Sequence, residues 1–358
     1  MKRSFIREIL ESIDENTISF AGGLPDESLF PIKDLNKAAK KVFKHRKNFQ
    51  YNQSSGIYEL RNIIAKSYQE DGFETKVENI LITSGSQQAL YIIAKYFQSR
   101  DILLENPSYL GAVSVFEKNS LKMQEISNFT QQYKQTKLAY LIPDFQNPKG
   151  TRYSIKKRNK IAKTLKKYDG YIIEDSPYNE LYFDKKSPSI SSLIPDNSLH
   201  LGSFSKTLSP SFRIGWIRTN SEMISKLCVI KESIDLHSCG ISQYILAEYL
   251  KDNSMYQKHL NNLRNKYKEK MRFFSKTLKT AIPNIEFKEP NGGMFIYAKL
   301  RGVNTRKLLQ KAQKKYLVFV PGREFYIAGK KDDEIRFNFS NSSKDEIQKG
   351  INILKSLL

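Results

Sequence analysis

Gly202-Ser203-Phe204-Ser205-Lys206-Thr207-Leu208-Ser209-Pro210, followed by Arg213-Ile214-Gly215-Trp216, decides how the rest of the chain is read. It follows the apolar run Leu199-His200-Leu201, a short strand, and so puts a lysine just past a strand's end. Most lysines here sit on solvated amphipathic stretches, as lysines generally do. Lys206 instead stands among small hydroxyl side chains. A lysine that is desolvated and close to other cations gives up its proton and becomes a nucleophile able to form an imine. Arg213, a turn further on, adds a cation suited to a phosphate.

Upstream, short apolar strands alternate with amphipathic helices. Strands are expected at 79–83, 102–104, 138–142, 171–173 and 199–201. Helices are expected at 34–47, 58–69, 87–96, 109–118 and from the N-cap Ser154 to Tyr168. That alternation means βαβ units and a mostly parallel sheet with helices on both faces, an α/β fold. Residues 45–250 read as the large domain. Residues 251–358 hold a long charged helix at 255–281, strands at 295–297, 317–319 and 335–337, and a terminal helix. With residues 1–44 they read as a smaller α+β domain.

In open α/β sheets, ligands bind beyond the carboxyl ends of the strands. Strand 79–83 ends in Ser84-Gly85-Ser86-Gln87 and opens a helix, whose free N–H groups and positive dipole end suit an anion. A plain helix-capping turn explains that stretch equally well, and it is no Walker A loop. Strand 171–173 ends in Glu174-Asp175-Ser176-Pro177-Tyr178, which presents a carboxylate to the same edge.

Composition narrows the classes. The 358 residues, 39% hydrophobic and 12% aromatic, fill a sizeable core. Two cysteines, Cys228 and Cys239, build no disulfide framework, and no Cys/His cluster suggests a metal. No signal peptide is read, and no window reaches the ~20 apolar residues of a membrane helix. A reduced, cytoplasmic setting is expected. The net charge of +22 comes from lysines scattered along helices, which reads as a solvated basic surface and not as a nucleic-acid footprint.

The lysine segment resembles the cofactor-lysine segment of class I/II aminotransferases, enzymes dependent on pyridoxal 5'-phosphate (PLP) and of fold type I. The similarity is greatest to the 2-aminoadipate, aromatic and multi-substrate subgroup. Further motifs run collinearly through Ser19 to Pro25, Gln50-Tyr51 to Leu60-Arg61, Thr83 to Leu90 and Glu105 to Tyr109. They continue through Pro143 to Gly150, Pro290 to Phe295, Val320-Pro321-Gly322 and Arg336-Phe337, so the resemblance covers nearly the whole chain.

The resemblance implies a large domain with a seven-stranded, mostly parallel sheet. It implies that Lys206 carries PLP as an imine and then shuttles the substrate's proton. Asp175 pairs with the pyridine nitrogen, Tyr109 stacks on the ring, and Asn147 and Tyr178 bond its phenolic oxygen. Gly85, Ser86, Gln87, Ser203, Ser205 and Arg213 hold the phosphate. Tyr51 reaches that phosphate from a partner subunit, which implies a homodimer. Arg336 clamps the substrate carboxylate, assisted by Asn147 and the backbone at Gly23.

The expected reaction moves an amino group from an L-amino acid to a 2-oxo acid, 2-oxoglutarate being the expected acceptor, by a ping-pong route. Two rivals stand beside it. One is another PLP reaction on the same scaffold, a C–S β-lyase or a decarboxylase. The other is the ligand-sensing part of a transcription regulator, which in that family follows a winged-helix domain for which the segment before Ser19 is too short. Two departures concern the pocket. Asn52 stands after Tyr51, where the family usually has Gly, and Ser176 stands where a second Asp is common.

Overall fold

Ile80–Thr83 and Leu138–Leu141 are buried at every position, as strands covered on both faces must be. The computed structural model describes residues 5–11 and 13–358. Its strands are β1 (Ile18–Ser19), β2 (Ile80–Thr83), β3 (Asp101–Leu104), β4 (Lys122–Glu125), β5 (Leu138–Leu141), β6 (Tyr171–Asp175), β7 (Ser198–Ser203) and β8 (Gly215–Arg218). Later come β9 (Glu286–Phe287), β10 (Phe295–Lys299), β11 (Leu317–Val318), β12 (Val320–Pro321) and β13 (Glu334–Asn338). The helices are α1 (Phe5–Glu11), α2 (Ile32–Val42), α3 (Tyr58–Glu70), α4 (Ser86–Tyr96), α5 (Leu110–Lys118) and α6 (Phe129–Thr136). They continue with α7 (Ile155–Tyr168), α8 (Ser221–Asp235), α9 (Gly240–Leu250), α10 (Asn253–Ala281), α11 (Thr305–Gln313) and α12 (Lys344–Lys355).

Seven strands form the main sheet in the order β2-β8-β7-β6-β5-β3-β4. All neighbours run parallel except β8, which is antiparallel to both β2 and β7. Alternate strand residues face opposite layers. Ile102, Leu104, Leu199 and Leu201 pack under α4, α5 and α8. On the other face Leu103, Leu141 and Ile172 meet α7, while Ile80 and Ile82 meet α3 and α9. Leu35, Ala38 and Val42 of α2 join that last cluster, so α2 packs on the main sheet's layers and not on the smaller sheet.

The smaller sheet has the order β12-β13-β10-β9, all antiparallel, and β1 pairs in parallel with β11 beside it. Its core is closed by α10, whose Leu260, Leu263, Tyr267, Met271, Phe274 and Leu278 recur at helical spacing and are buried. The basic charge lies where helices meet solvent: Ile161, Ala162 and Leu165 of α7 are buried, while Lys156, Lys160, Lys163 and Lys167 are exposed. Ser154 caps α7, its side chain accepting from the Lys157 amide at 3.2 Å. Two strands of the main sheet escaped the sequence reading. β4 is a sheet edge with polar, exposed side chains and therefore no apolar run. β8 is short and follows directly on the lysine segment.

The loop between β5 and α7 is fixed from beneath. Arg158 is 1% exposed and donates to both oxygens of Asp144, at 3.2 and 2.6 Å. It also reaches the carbonyls of Pro143, Tyr153 and Pro188. Removing one partner of a buried, hydrogen-bonded pair typically costs about 3–5 kcal/mol. Arg158→Leu is therefore expected to lower unfolding stability by about that amount in denaturant titration. A loss within the scatter of surface substitutions would show that the loop is held in some other way.

Candidate functional site

Where β5, β6 and β7 end, the backbone turns into loops that converge with β13 and the segment after β1. They enclose a cavity of ≈ 580 Å³. Lys206, Asp175, Tyr178, Asn147, Tyr109, Ser86, Gln87, Ser203, Ser205, Arg213, Gly23 and Arg336 all line it. Residues scattered over more than three hundred positions of chain thus meet in one place.

Lys206 donates from Nζ to the carbonyl of Gly23 at 2.8 Å. Burial, then the charges of Arg213 and Arg336, lower its pKa to about 8. Asp175, at the end of β6, is 2% exposed. Burial raises its pKa to about 6, opposed by the hydroxyl of Tyr140, which donates to Oδ2 at 2.7 Å. Oδ1 has no hydrogen-bond partner among the described residues. A buried acceptor left unmet is costly, which points to a donor supplied from outside the chain.

Gly85 caps α4 with φ +79°, a conformation that disfavours a side chain, and a Cβ there would strike the Arg213 guanidinium. Arg213 lies against this turn, donating to the carbonyl of Ser84 at 3.2 Å and to Oγ of Ser205 at 3.5 Å. The first turn of α4, with the Ser203 and Ser205 hydroxyls and this guanidinium, makes an anion cradle. Asp235 supports it from behind, accepting from Gln88 at 2.7 Å, from Ser84 at 3.2 Å and from buried Lys231 at 2.6 Å.

Opposite the cradle, Arg336 of β13 is 1% exposed. It donates to Oδ1 of Asn147 at 2.8 Å and to the carbonyl of Ala21, and its Nε is unpartnered among the described residues. Burial lowers its pKa to about 10, so it stays cationic at neutral pH. Asn147 donates from Nδ2 to the Tyr178 hydroxyl at 3.5 Å, leaving that O–H free to donate. Tyr109 meets Gln87 Oε1 at 3.4 Å, and Gln87 holds the Gly111 carbonyl at 3.2 Å.

Tyr51 stands apart from the cavity of its own chain. Its ring is 79% exposed and meets His237 edge-on, with ring centroids 5.9 Å apart. Sequence reasoning missed Tyr140, though a hydroxyl inside the apolar run 138–142 signals a buried partner. It also missed Asp235, Lys231 and Asn338, which orient neighbours and carry no motif. Asn338 donates to the carbonyls of Gly22 and Leu24 and so shapes the approach to Gly23. Among the described residues there is no cluster able to hold a metal ion and no helix long and apolar enough to cross a membrane.

In the cofactor-free protein, amine-reactive labelling of Lys206, followed by peptide mass spectrometry, is expected to rise with a midpoint near pH 8, as its lowered pKa of about 8 implies. Arg213→Gln removes one of the two cations named above and is expected to move the midpoint upward. A midpoint at the ordinary lysine value of 10.5 would contradict the burial described.

The model for "Aminotransferase class I and II" matches residues 16–354. Aromatic-amino-acid aminotransferase 1 of Thermococcus litoralis is 33% identical over 378 residues, covering 98% of this chain and 90% of its own. The solved structure of LysN, the alpha-aminoadipate aminotransferase of Thermus thermophilus complexed with N-(5'-phosphopyridoxyl)-L-leucine, has a TM-score of 0.92 at 30% identity. It is matched over 100% of this chain and 95% of that one. The helix-turn-helix transcriptional regulator NorG of Staphylococcus aureus is also similar, 30% identical over 353 residues, which is 94% of this chain and 79% of NorG. The chain belongs to the class I and II aminotransferases and is a PLP-dependent transaminase of fold type I.

Proposed function

We propose that the cavity between the two sheets runs a transamination in which Lys206 both attaches the cofactor and carries the substrate's proton. One observation bears the weight of this reading. A single cavity joins a lysine of lowered pKa, an anion cradle, a buried carboxylate oxygen without a partner and a guanidinium with an unpartnered Nε. These residues fit PLP: the cradle suits a phosphate, and Asp175 Oδ1 suits a pyridinium N–H. When bound, the cofactor supplies an aldehyde that accepts the amino group and a ring that withdraws electrons from the substrate's α-carbon.

Each side chain then has one task. Asp175 holds a proton on the ring nitrogen, because its ionised oxygen accepts that N–H in a dry setting. The Tyr178 hydroxyl and Asn147 serve the phenolic oxygen, and Tyr109 gives the ring an aromatic wall. Gly85, Ser86, Gln87, Ser203, Ser205 and Arg213 hold the phosphate. Arg336 binds the substrate carboxylate, oriented by Asn147 and the Gly23 backbone. Lys206 Nζ, once free and in its unprotonated form, takes the proton from the α-carbon and returns it on the cofactor side.

The donor in this proposal is an L-amino acid and the acceptor a second 2-oxo acid, 2-oxoglutarate. Residues 45–250 form the cofactor domain, with α2 packed on it, and the segments on either side form the smaller domain that brings Gly23 and Arg336. A homodimer completes the site, Tyr51 serving the partner's phosphate. Support comes from exposed Phe43, Phe49, Tyr51 and Leu236, apolar surface that a second copy would cover. The regulator rival draws on the similarity to NorG and the charge of +22.

Incubating the protein with PLP and a mixture of amino acids is expected to release 2-oxo acid in proportion to enzyme, and continuously once 2-oxoglutarate is added. Arg336→Gln is expected to lower kcat/KM by roughly 30-fold or more, since an unpaired buried carboxylate costs about 2–5 kcal/mol. Pyruvate with ammonia, or a decarboxylated amine, would put a lyase in place of the transaminase. Ligand binding without turnover would favour the regulator.

A further inference from the structure

We propose that a second cavity, of ≈ 520 Å³ between α3 and α10 on the reverse side of β7, is a binding site for a planar, uncharged aromatic molecule bearing a hydrogen-bond acceptor. This site is independent of the transamination reading. Its volume lies in the range of small-molecule pockets, roughly 300–1,000 Å³. It is separated from the lysine cavity by one strand-and-turn segment. Ser205 and Lys206 line the first cavity, Gly202, Phe204 and Thr207 line the second, and Ser203 lines both.

The walls set the ligand's shape. Tyr68, Phe204, Trp216, Tyr256 and Tyr182 present aromatic surface to this space. Phe204 and Trp216 pack with centroids 4.9 Å apart. The indole crosses β7 at Gly202, where a Cβ would run into it, so glycine is what keeps this wall close to the strand. Flat aromatic walls favour offset or edge contacts with a planar guest.

His200 sets the polar requirement. It is 3% exposed and lies where this cavity meets a smaller one of ≈ 230 Å³. Trp216 Nε1 donates to the Tyr68 hydroxyl at 2.9 Å, so that oxygen is left to donate its own proton to His200 Nδ1 at 2.7 Å. The tautomer assigned by this relay carries its hydrogen on Nε2, which meets no partner among the described residues. Burial lowers the pKa of His200 to about 3, so the ring is neutral and offers one N–H donor. Where the two cavities meet, that N–H is the donor offered to the acceptor of a guest.

Charge inside the cavity is largely settled. Arg264 pairs with Glu180 at 2.9 Å and stacks over Tyr182 at 4.0 Å. Lys186 pairs with Asp71 and Glu180, and Lys251 with Glu248. Lys66, Glu59 and Glu70 stand exposed at the rim. A charged guest would break an existing pair or lose its hydration without compensation, whereas a neutral one would not.

Trp216 is the chain's single tryptophan and lines this cavity, so its emission responds to a guest there. Benzamide is a suitable probe, because it is planar and neutral, carries a carbonyl acceptor and lacks the carboxylate that Arg336 would hold. Titrated into the PLP-loaded enzyme, it is expected to change Trp216 emission saturably, with calorimetry giving the same affinity. Cyclohexanecarboxamide is expected to bind at least tenfold more weakly. Ser67→Phe, on the exposed side of α3, fills the cavity, and His200→Gln removes the donor geometry. Each is expected to weaken benzamide at least tenfold while circular dichroism stays unchanged. No saturable response in the wild type, equal affinity in Ser67→Phe, or displacement of benzamide by amino acid would overturn the proposal.

Discussion

Burial of Asp175 with only one oxygen satisfied is the constraint around which this molecule is arranged. The carboxylate sits at the end of β6, flanked by β5 and β7, and faces the cavity it shares with Lys206. Tyr140 meets Oδ2 and nothing in the described chain meets Oδ1. Such a group costs stability and persists because the surrounding strands hold it in place. The same holds for half-buried Lys206 and buried Arg336, cations on one cavity with no carboxylate pairing either among the described residues. A protein selected for stability alone would not assemble these groups. In the proposed function their strain is relieved by what binds: an N–H for Asp175, an aldehyde for Lys206, carboxylate and phosphate for the arginines.

The rigid parts of the fold exist to keep that strain in register. Arg158 fastens the loop that carries Asn147, and Asn147 in turn orients Arg336 and meets Tyr178. Lys231 and Asp235 fasten Ser84 and Gln88 beneath the anion cradle. Behind Lys206, His259 meets the Thr207 carbonyl at 2.6 Å and Tyr256 meets its hydroxyl. The segment bearing the lysine is thus held by α10 on one side and by the Gly23 carbonyl on the other, which makes it a physical partition between two cavities.

Much of this was legible in the sequence, for physical reasons. Short apolar runs marked β2, β5 and β6, because strands covered on both faces are mostly apolar. Lys206 was legible because small hydroxyl neighbours are unlike a solvated helix face. The rest was hidden for equally physical reasons. β4 offers only edge polarity, and Tyr140 looked like one more core aromatic. The α2 helix packs across the boundary drawn from sequence near residue 45, because its apolar stripe of Leu35, Ala38 and Val42 shows amphipathicity without saying which layer it covers. Tyr51 is 79% exposed and does not line the cavity of its own chain, so no neighbour within the chain marks its role. The unpartnered Nε2 of His200 depends on a relay through Tyr68 and Trp216 that only folding brings together.

The pH dependence of PLP binding, measured by equilibrium dialysis on the wild type and on Asp175→Asn, probes the half-satisfied carboxylate itself. In the empty site, burial raises Asp175 to about pH 6, so the ionised form that accepts a ring N–H prevails above that value. Binding favours the ionised carboxylate and thereby lowers its pKa. The Asp175 contribution is read as the ratio of wild-type to Asp175→Asn affinity, with the Lys206 step near pH 8 common to both. That ratio is level above pH 6 and falls below it by up to about tenfold per unit. Asp175→Asn is expected to bind more weakly and to lose that step. A wild-type affinity flat through pH 6, or an Asp175→Asn variant with the same profile, would contradict the role assigned to this residue.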